Sequence, residues 1–204
     1  MEEFYNPYEP VDRFYGTNLP HWQQGKVMVF ATWRLADSLS AGKLEQLRRE
    51  RKLWLLENSQ PWNERQANEY RELFSRRIES WLDAGQGSCC LRKAELRQIV
   101  FDGFKHFDGQ RYGLDSFVIM PNHVHVLFYP IAKHQMQKIL YSWKSFTAKQ
   151  INAAIGRKGP LWAEDYWDRL IRNSAHLEAC RRYILRNPVK ANLRAGEYAL
   201  YPAR

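Results

Sequence analysis

The chain has 204 residues, 45% of them hydrophobic, and a formal net charge of +9, which suits one basic domain or one domain with a large insertion. No run of about 18 apolar residues is present, and the acidic start, MEEFYNPYEP, has no apolar segment like that of a signal peptide, which argues against a membrane protein and a secreted one. Three cysteines, two of them adjacent, predict no disulfide framework and no zinc knuckle, so we expect a cytoplasmic protein.

The first part of the chain predicts an arm, a strand and a helical insertion. Residues 1–25 hold aromatic side chains among Pro and Gly, which predicts an irregular N-terminal arm. Residues 26–35 (KVMVFATWRL) are largely apolar on both alternating faces, as is typical of a strand inside a sheet. Residues 43–82 carry Leu and aromatic residues near helical spacing among many charges, and Pro61 divides them. We interpret them as two surface helices inserted after the strand.

The rest of the chain alternates helices and strands. Apolar spacing predicts helices over 92–106, 135–155 and about 175–186, and strands over 112–120, 123–128 and 166–172. Pro121 and Asn122 fit the turn between the first two of these strands. Asn173 or Ser174 caps the last helix, which Pro188 ends or kinks.

This order of elements predicts the fold class. With the strand over 26–35 it reads βαββαβ and then a helix, which is the α+β, ferredoxin-like plan of an antiparallel sheet with helices on one face. Residues 196–204 predict no element and form a C-terminal tail.

Two histidines on one predicted strand are the first candidate site residues. Side chains alternate along a strand, so His123 and His125 point to one face, while Val124 and Val126 point to the other and belong to the core. The two imidazoles lie within about 7 Å along the strand, so both can reach one metal ion. An amphipathic strand with two polar side chains facing water explains the same pattern, and the residues alone leave both interpretations open.

The last predicted helix carries a second candidate pair. Tyr183 and Asn187 are four residues apart, so they lie on the same helix face, one turn apart. A surface anchor for Tyr183 and a helix cap for Asn187 explain the same residues. A phenol with a pKa near about 10 needs a base or a cation to act as a nucleophile. The sequence identifies no general base, although His176 lies two helical turns before Tyr183.

The positive charge is concentrated after the histidines. Residues 133–194 contain 13 Lys and Arg against four Asp and Glu. Aromatic residues are interleaved with these cations, and the combination favours binding of a nucleic-acid strand, especially an unpaired one. A solvated basic face without a ligand is the alternative interpretation.

Two motifs, MPNHVHVLF and YILRNPVKANL, resemble in this order the REP-associated tyrosine transposases, which are single-tyrosine members of the HUH endonuclease superfamily. The stretches LPHWQQG, FATWRLADSL, LDAGQGSCCL and GPLWAEDYWDRLIR are also similar to that family. The resemblance covers about residues 18–195. It implies a single transposase domain over residues 26–195, with residues 43–82 as a helical insertion.

The resemblance also implies roles for the matching residues. His123 and His125 match the pair that binds a divalent metal ion, Mg²⁺ or Mn²⁺, and Asn187 matches the position of a third ligand. Tyr183 matches the nucleophile that forms a 5′-phosphotyrosine bond with DNA. The implied substrate is single-stranded DNA beside a hairpin of the REP type, bound by a monomer or a homodimer. The candidate DNA contacts are Lys144, Trp162, Arg169, Arg172, Arg181, Arg182 and Arg186.

Two other functions stay open at this point. A metal-dependent phosphodiester hydrolase would use the same histidines, although metallo-β-lactamase-like sites continue His-x-His with Asp-His, whereas Val126 and Leu127 follow here. A non-catalytic nucleic-acid-binding module of ferredoxin-like fold is the other candidate, although the chain has no aromatic RNP-type motif.

Overall fold

The computed structural model describes residues 3–15, 20–59 and 62–202. It begins with two short strands, β1 (Asp12–Tyr15) and β2 (Pro20–Gln23), which pair antiparallel where we predicted an irregular arm. The Arg13 guanidinium lies 5.3 Å from the ring centroid of its cross-strand partner Trp22. Cross-strand contacts of this kind stabilise a hairpin, and the Pro and Gly content of the segment concealed them.

The main sheet has five strands, and all of its pairs are antiparallel. They are β3 (Val29–Arg34), β4 (Tyr112–Ile119), β5 (His123–Pro130), β6 (Trp167–Leu170) and β7 (Ala199–Tyr201), in the spatial order β6-β3-β5-β4-β7. The first four follow the predicted βαββαβ plan, with β3 inside the sheet. The strand β7 corrects the prediction of a tail over 196–204. It pairs with the outer edge of β4, where Tyr201 stacks on Phe117 at 5.0 Å between ring centroids.

The predicted insertion is helical and follows β3. It consists of α1 (Ala41–Glu57), α2 (Glu64–Tyr70), a π-helical turn (Arg71–Arg76) and α3 (Arg77–Asp83). Trp54 packs at its centre against Trp62, Tyr70 and Phe74, so the insertion has an aromatic core of its own. Pro61, which we predicted to divide the helices, lies outside the described residues.

Two helices cover one face of the main sheet, as predicted. They are α4 (Ala94–Lys105) and α5 (Met136–Ile155). Phe104 of α4 and Trp143 of α5 are buried side by side, with ring centroids 4.9 Å apart. Val124, Val126 and Phe128 of β5 point into this core, because alternate residues of a strand share a face.

A third helix, α6 (Ser174–Lys190), follows the βαββαβ series and covers the opposite face of the sheet. Its N-terminus is capped by Asn173, whose side chain accepts a hydrogen bond from the His176 amide at 2.8 Å. Its buried residues Leu177, Cys180 and Ile184 recur at helical spacing. We predicted that Pro188 ends or kinks the last helix; it does not end it, because α6 continues past Pro188 to Lys190. No helix in the described ranges is long and apolar enough to span a membrane.

Candidate active site

The two histidines of β5 point to the face covered by α6. Only 1% of His123 and 2% of His125 is exposed to solvent. Their ring centroids are 4.8 Å apart. Burial rules out the interpretation that these side chains simply face water, and a buried imidazole needs polar partners.

Each imidazole has one ring nitrogen held by a neighbour. His123 Nδ1 lies 2.7 Å from Asn122 Oδ1, and His125 Nδ1 lies 2.7 Å from Thr32 Oγ1 on the adjacent strand β3. An amide oxygen can only accept, so His123 carries its proton on Nδ1 and keeps the Nε2 lone pair free. A hydroxyl that accepts from His125 Nδ1 leaves His125 in the same state. This arrangement is the one that orients a metal-binding imidazole.

Both imidazoles are kept neutral. Burial lowers the pKa of His123 to about 3, although the nearby Asn187 side chain acts in the opposite direction. Burial also holds the pKa of His125 well below its usual value, with His123, Arg169 and Lys190 acting in the same direction. A neutral imidazole is the form that coordinates a metal ion.

Helix α6 brings Tyr183 and Asn187 to the histidines within one chain. The ring centroids of Tyr183 and His125 are 5.0 Å apart, and the rings meet edge to face. Asn187 Nδ2 lies 3.3 Å from His125 Nε2, and Asn187 is 1% exposed. The predicted spacing of one helical turn therefore directs both side chains at the same imidazole.

The donor set at this point fits a divalent cation. Asn187 Oδ1 is buried and has no hydrogen-bond partner, which is costly unless something else satisfies it. Two neutral imidazoles and an unsatisfied amide oxygen are groups that can hold a divalent metal ion. No group of three His, Cys, Asp or Glu side chains able to hold a metal ion occurs in the described part of the chain. A third protein ligand beside the histidines would therefore be an amide such as that of Asn187.

The Tyr183 hydroxyl faces the helical insertion. Glu79 of α3 lies close enough to interact with it. Burial raises the pKa of Tyr183 well above its usual value, and the carboxylates of Glu79 and Asp83 raise it further. Lys190, two turns after Tyr183 on α6, lies 2.9 Å from Asp83 Oδ2 and 3.8 Å from Glu79 Oε2.

Cations surround the mouth of the site. A cleft of about 390 Å³ is lined by Arg182, Tyr183, Arg186, Asn187 and Lys190. Arg182 and Arg186 are exposed there. Arg169 of β6 lies at another edge of the same sheet face, with its guanidinium 5.1 Å from the Phe30 ring centroid. These three arginines are in positions where they can contact DNA that enters the cleft.

Three of the other predicted DNA contacts lie elsewhere or are occupied. Trp162 is 5% exposed and donates from Nε1 to Thr147 on the α5 side of the sheet, so its ring is not free to stack on a base. Lys144 donates to the carbonyls of residues 163 and 164, and burial lowers its pKa to about 8. Arg181 is held by the carboxylates of Asp115 and Glu178, which makes it a structural residue. Composition does not show which cations have partners in the fold, so these three assignments stay predictions that the packing does not favour.

The remaining two sequence candidates have separate positions. Arg172 is exposed just before α6. His176, considered as a base, accepts a hydrogen bond from the Arg172 amide at 3.3 Å, whereas it is Glu79 that interacts with the Tyr183 hydroxyl.

Sequence reasoning missed four residues of the site. Asn122 was interpreted only as a turn residue, and its position directly before His123 was the available signal. Thr32, Glu79 and Asp83 carry no such signal, because strand register and helix docking bring them to the site.

A comparison with known protein families matches the part of the chain that contains this site. Residues 93–187 match the family model described as IS200-like transposase, a range that includes both histidines, Tyr183 and Asn187 and leaves out the helical insertion. The chain is also similar to a REP-associated tyrosine transposase solved with a REP hairpin, at 16% identity over 85% of this chain and 73% of that chain, with a TM-score of 0.46. A candidate transposase from Deinococcus radiodurans R1 is similar at 13% identity over 81% of this chain and 93% of that one, with a TM-score of 0.34. No curated protein matches.

Proposed function

We propose, from the match of residues 93–187 to the IS200-like transposase family, that the protein is a member of this family and cleaves and rejoins single-stranded DNA through Tyr183. The observation that carries the proposal is the distance of 5.0 Å between the ring centroids of Tyr183 and His125 in one chain. A nucleophile beside two neutral imidazoles is the arrangement that phosphodiester cleavage needs.

The residues divide the chemistry between them. The Tyr183 oxygen attacks the scissile phosphorus, the 3′ oxygen leaves, and a 5′-phosphotyrosine bond forms. Because the energy of the phosphodiester is kept in that bond, a free 3′ hydroxyl can later attack it and rejoin the strand. His123, His125 and Asn187 would hold the divalent ion, Mg²⁺ or Mn²⁺. Such an ion polarises the phosphate and neutralises its charge.

Charge and exposure support DNA as the substrate. Arg182, Arg186 and Lys190 line the cleft beside Tyr183, and Arg169 lies on the same sheet face. Phosphates of an unpaired strand suit such a cationic cleft. We propose single-stranded DNA beside a hairpin as the substrate, in line with the family motifs. The site is complete within one chain, which supports action of Tyr183 on a phosphate bound by its own histidines, in a monomer or in each subunit of a homodimer.

A covalent-trapping assay tests the proposal. Single-stranded oligonucleotides that carry the imperfect hairpins lying beside the gene are labelled at the 3′ end, because the 3′ fragment stays on the tyrosine. After incubation with Mn²⁺, a labelled protein band on a denaturing gel is the expected result. Tyr183→Phe should abolish this band, and His125→Ala should lose the Mn²⁺-dependent cleavage that produces it. Tyr141→Phe, an exposed tyrosine on α5, is the matched control and should keep it.

Other outcomes distinguish the remaining functions. Cleavage without a covalent band would favour a metal-dependent hydrolase. DNA binding with neither cleavage nor a band would favour a non-catalytic binding module. A band that persists in Tyr183→Phe would overturn the assignment of the nucleophile.

A further inference from the structure

We propose that Trp167, on the outermost strand β6, is a stacking residue that binds one base of the substrate strand beside the scissile phosphate. This inference rests on the proposed function, because it names a contact of the same site with single-stranded DNA. It differs in kind from the arginine contacts, because an aromatic ring binds the base and not the phosphate.

Strand register places Trp167 on the sheet face that carries the two histidines. Strand β3 lies between β6 and β5, and Thr32 is the cross-strand partner of both Trp167 and His125. Side chains of directly opposite residues share a face, so these three residues form one row across the sheet. Neighbouring strands are about 4.8 Å apart, which puts the backbone of β6 about 10 Å from that of β5. A nucleotide that flanks a phosphate at the histidines can therefore reach Trp167.

The neighbours of Trp167 on β6 agree with this orientation. Arg169, two residues further on, holds its guanidinium 5.1 Å from the ring centroid of Phe30, and that ring lies 5.8 Å from the ring of Tyr183. Asp168, between Trp167 and Arg169, points to the other face, where it pairs with a buried histidine of β2. Trp167 and Arg169 therefore place a ring and a cation side by side along one edge of the site.

The ring of Trp167 has no partner within the described part of the chain. The residue is half-buried, yet it belongs to none of the three hydrophobic cores. Its Nε1–H makes no hydrogen bond and its ring meets no other ring among the described residues. Trp162, in contrast, is buried and donates to Thr147. A tryptophan with an unused ring and an unused donor is available to a ligand.

The cover of the sheet leaves this ring accessible beside the site. Helix α6 packs mainly on β4 and β5, so Trp167 lies beside the helix and not beneath it. Arg169 and Arg172 are exposed on the segment that runs from Trp167 to α6. A ring followed by two cations suits an unpaired strand, because one base stacks while the flanking phosphates are neutralised.

A fluorescent base moved along the DNA tests the contact. The hairpin oligonucleotide is made with 2-aminopurine at one position of its unpaired strand at a time, and binding is measured in EDTA so that no cleavage occurs. Stacking on an indole ring quenches this base. We expect the wild type to quench one position, next to the cleavage site mapped by the trapping assay, more strongly than Trp167→Leu does. Trp167→Phe should retain part of this quenching, because it keeps an aromatic ring.

An abasic site at that position separates stacking from charge. In the wild type, loss of the base should weaken binding by about 5- to 150-fold, the range that one stacked base contributes. Trp167→Leu should show this loss with the complete DNA and little further loss with the abasic DNA, because both changes remove one contact. Its slope of log affinity against log salt should stay that of the wild type, whereas Arg169→Ala should lower the slope by about 1. Phe146→Ala, an exposed aromatic residue on α5, is the matched control and should bind both DNAs like the wild type.

The outcomes separate this inference from the proposed function. Additive losses from the abasic site and Trp167→Leu, or equal quenching by both proteins at every position, would overturn the stacking contact while a covalent band upholds the proposed function. Quenching that depends on Trp167 without any covalent band would keep the contact and overturn the proposed function. A wild-type protein that does not bind the oligonucleotide would overturn both. If urea unfolding shows that Trp167→Leu is not folded, Trp167→Phe takes its place in the comparison.

Discussion

The two faces of strand β5 (His123–Pro130) carry side chains of different chemistry on one shared backbone. Val124, Val126 and Phe128 pack against α4 and α5 in an aromatic core that needs no polar partner. His123 and His125 are equally buried on the other face, against α6, and each has a hydrogen-bonding neighbour on one ring nitrogen. Packing alone stabilises the β5 side chains on the first face, whereas those on the second are polar groups kept out of water for use in chemistry.

On the face covered by α6, the burial of polar groups is unfavourable for stability. Asn187 Oδ1 is buried without a partner, and both imidazoles are forced to stay neutral. Unpaired buried polar atoms typically destabilise a protein by about 1–3 kcal/mol each. We therefore expect variants of the α4–α5 face to lose stability, and variants of the α6 face to lose activity with smaller changes in stability.

Phe104→Ala should give the largest loss of stability. Phe104 is fully buried on the α4–α5 face between Trp33, Phe117 and Trp143. Truncation of such a ring typically costs about 3–5 kcal/mol, a large part of a domain's total stability. Urea unfolding followed by tryptophan fluorescence measures the change. Phe146→Ala, 49% exposed on α5, should cost under about 1 kcal/mol, and a similar loss there would contradict the contrast between the faces.

Acid should destabilise the metal-free protein through the α6 face. The folded-state pKa values of His123 and His125 lie below the ordinary value, so the unfolded chain binds more protons. The stability that neutral imidazoles contribute is present above about pH 6.5 and is lost as the pH falls toward 3, by up to about 1.4 kcal/mol per pH unit for each histidine. Urea unfolding in EDTA between pH 7 and 4 measures this slope. Replacement of both residues by Gln should flatten it, whereas replacement of the exposed His106 should not.

Two threonines, one on each face, offer a matched comparison. Thr32→Val removes the partner of His125 Nδ1, and loss of such a partner typically lowers metal affinity or activity by about 10–100-fold. Thr147→Val removes the partner of Trp162 Nε1 on the α4–α5 face. Both should lose about 1 kcal/mol of stability, but only Thr32→Val should slow the covalent-trapping assay. Equal rates in the two variants would show that the orientation of His125 is unimportant.

The smallest effects should come from single arginines of α6. Arg182→Ala should lower the slope of log affinity against log salt by about 1 and leave stability within about 0.5 kcal/mol of the wild type. Arg181→Ala should leave the slope unchanged and lower the stability, because Asp115 and Glu178 hold its guanidinium. Fluorescence anisotropy with labelled single-stranded DNA at several salt concentrations measures the slopes. A change of slope in Arg181→Ala would return Arg181 to the DNA contacts.

The sequence was sufficient to predict what depends on local periodicity. Alternation along β5 separated His123 and His125 from the valines, and helical spacing put Tyr183 and Asn187 on one face. The order of elements predicted the sheet, and the structure confirms its antiparallel βαββαβ core. These features follow from two repeat lengths, 2.0 residues for strands and 3.6 residues for helices.

What could not be predicted depends on contacts between distant segments. The pairing of Thr32 with His125 requires the register of two strands 93 residues apart in the chain. The short strand β7 forms because β4 has a free edge, and its three residues carry too weak a pattern to identify alone. Charge and aromatic content suggested Trp162 and Arg181 as DNA contacts, but they could not show that Trp162 is buried or that Arg181 is paired with Asp115. The roles of the site residues and the division into arm, domain and insertion stay predictions.

The turn residue Asn122 has a consequence for engineering the protein. Its amide nitrogen donates to the carbonyls of Leu82 at 3.1 Å and Gln86 at 3.2 Å, while its oxygen holds His123. The end of α3 and the tautomer of His123 are therefore linked through one side chain. Excision of residues 41–83 would release Asn122, so a minimal version of the protein cannot be obtained by cutting out the insertion alone.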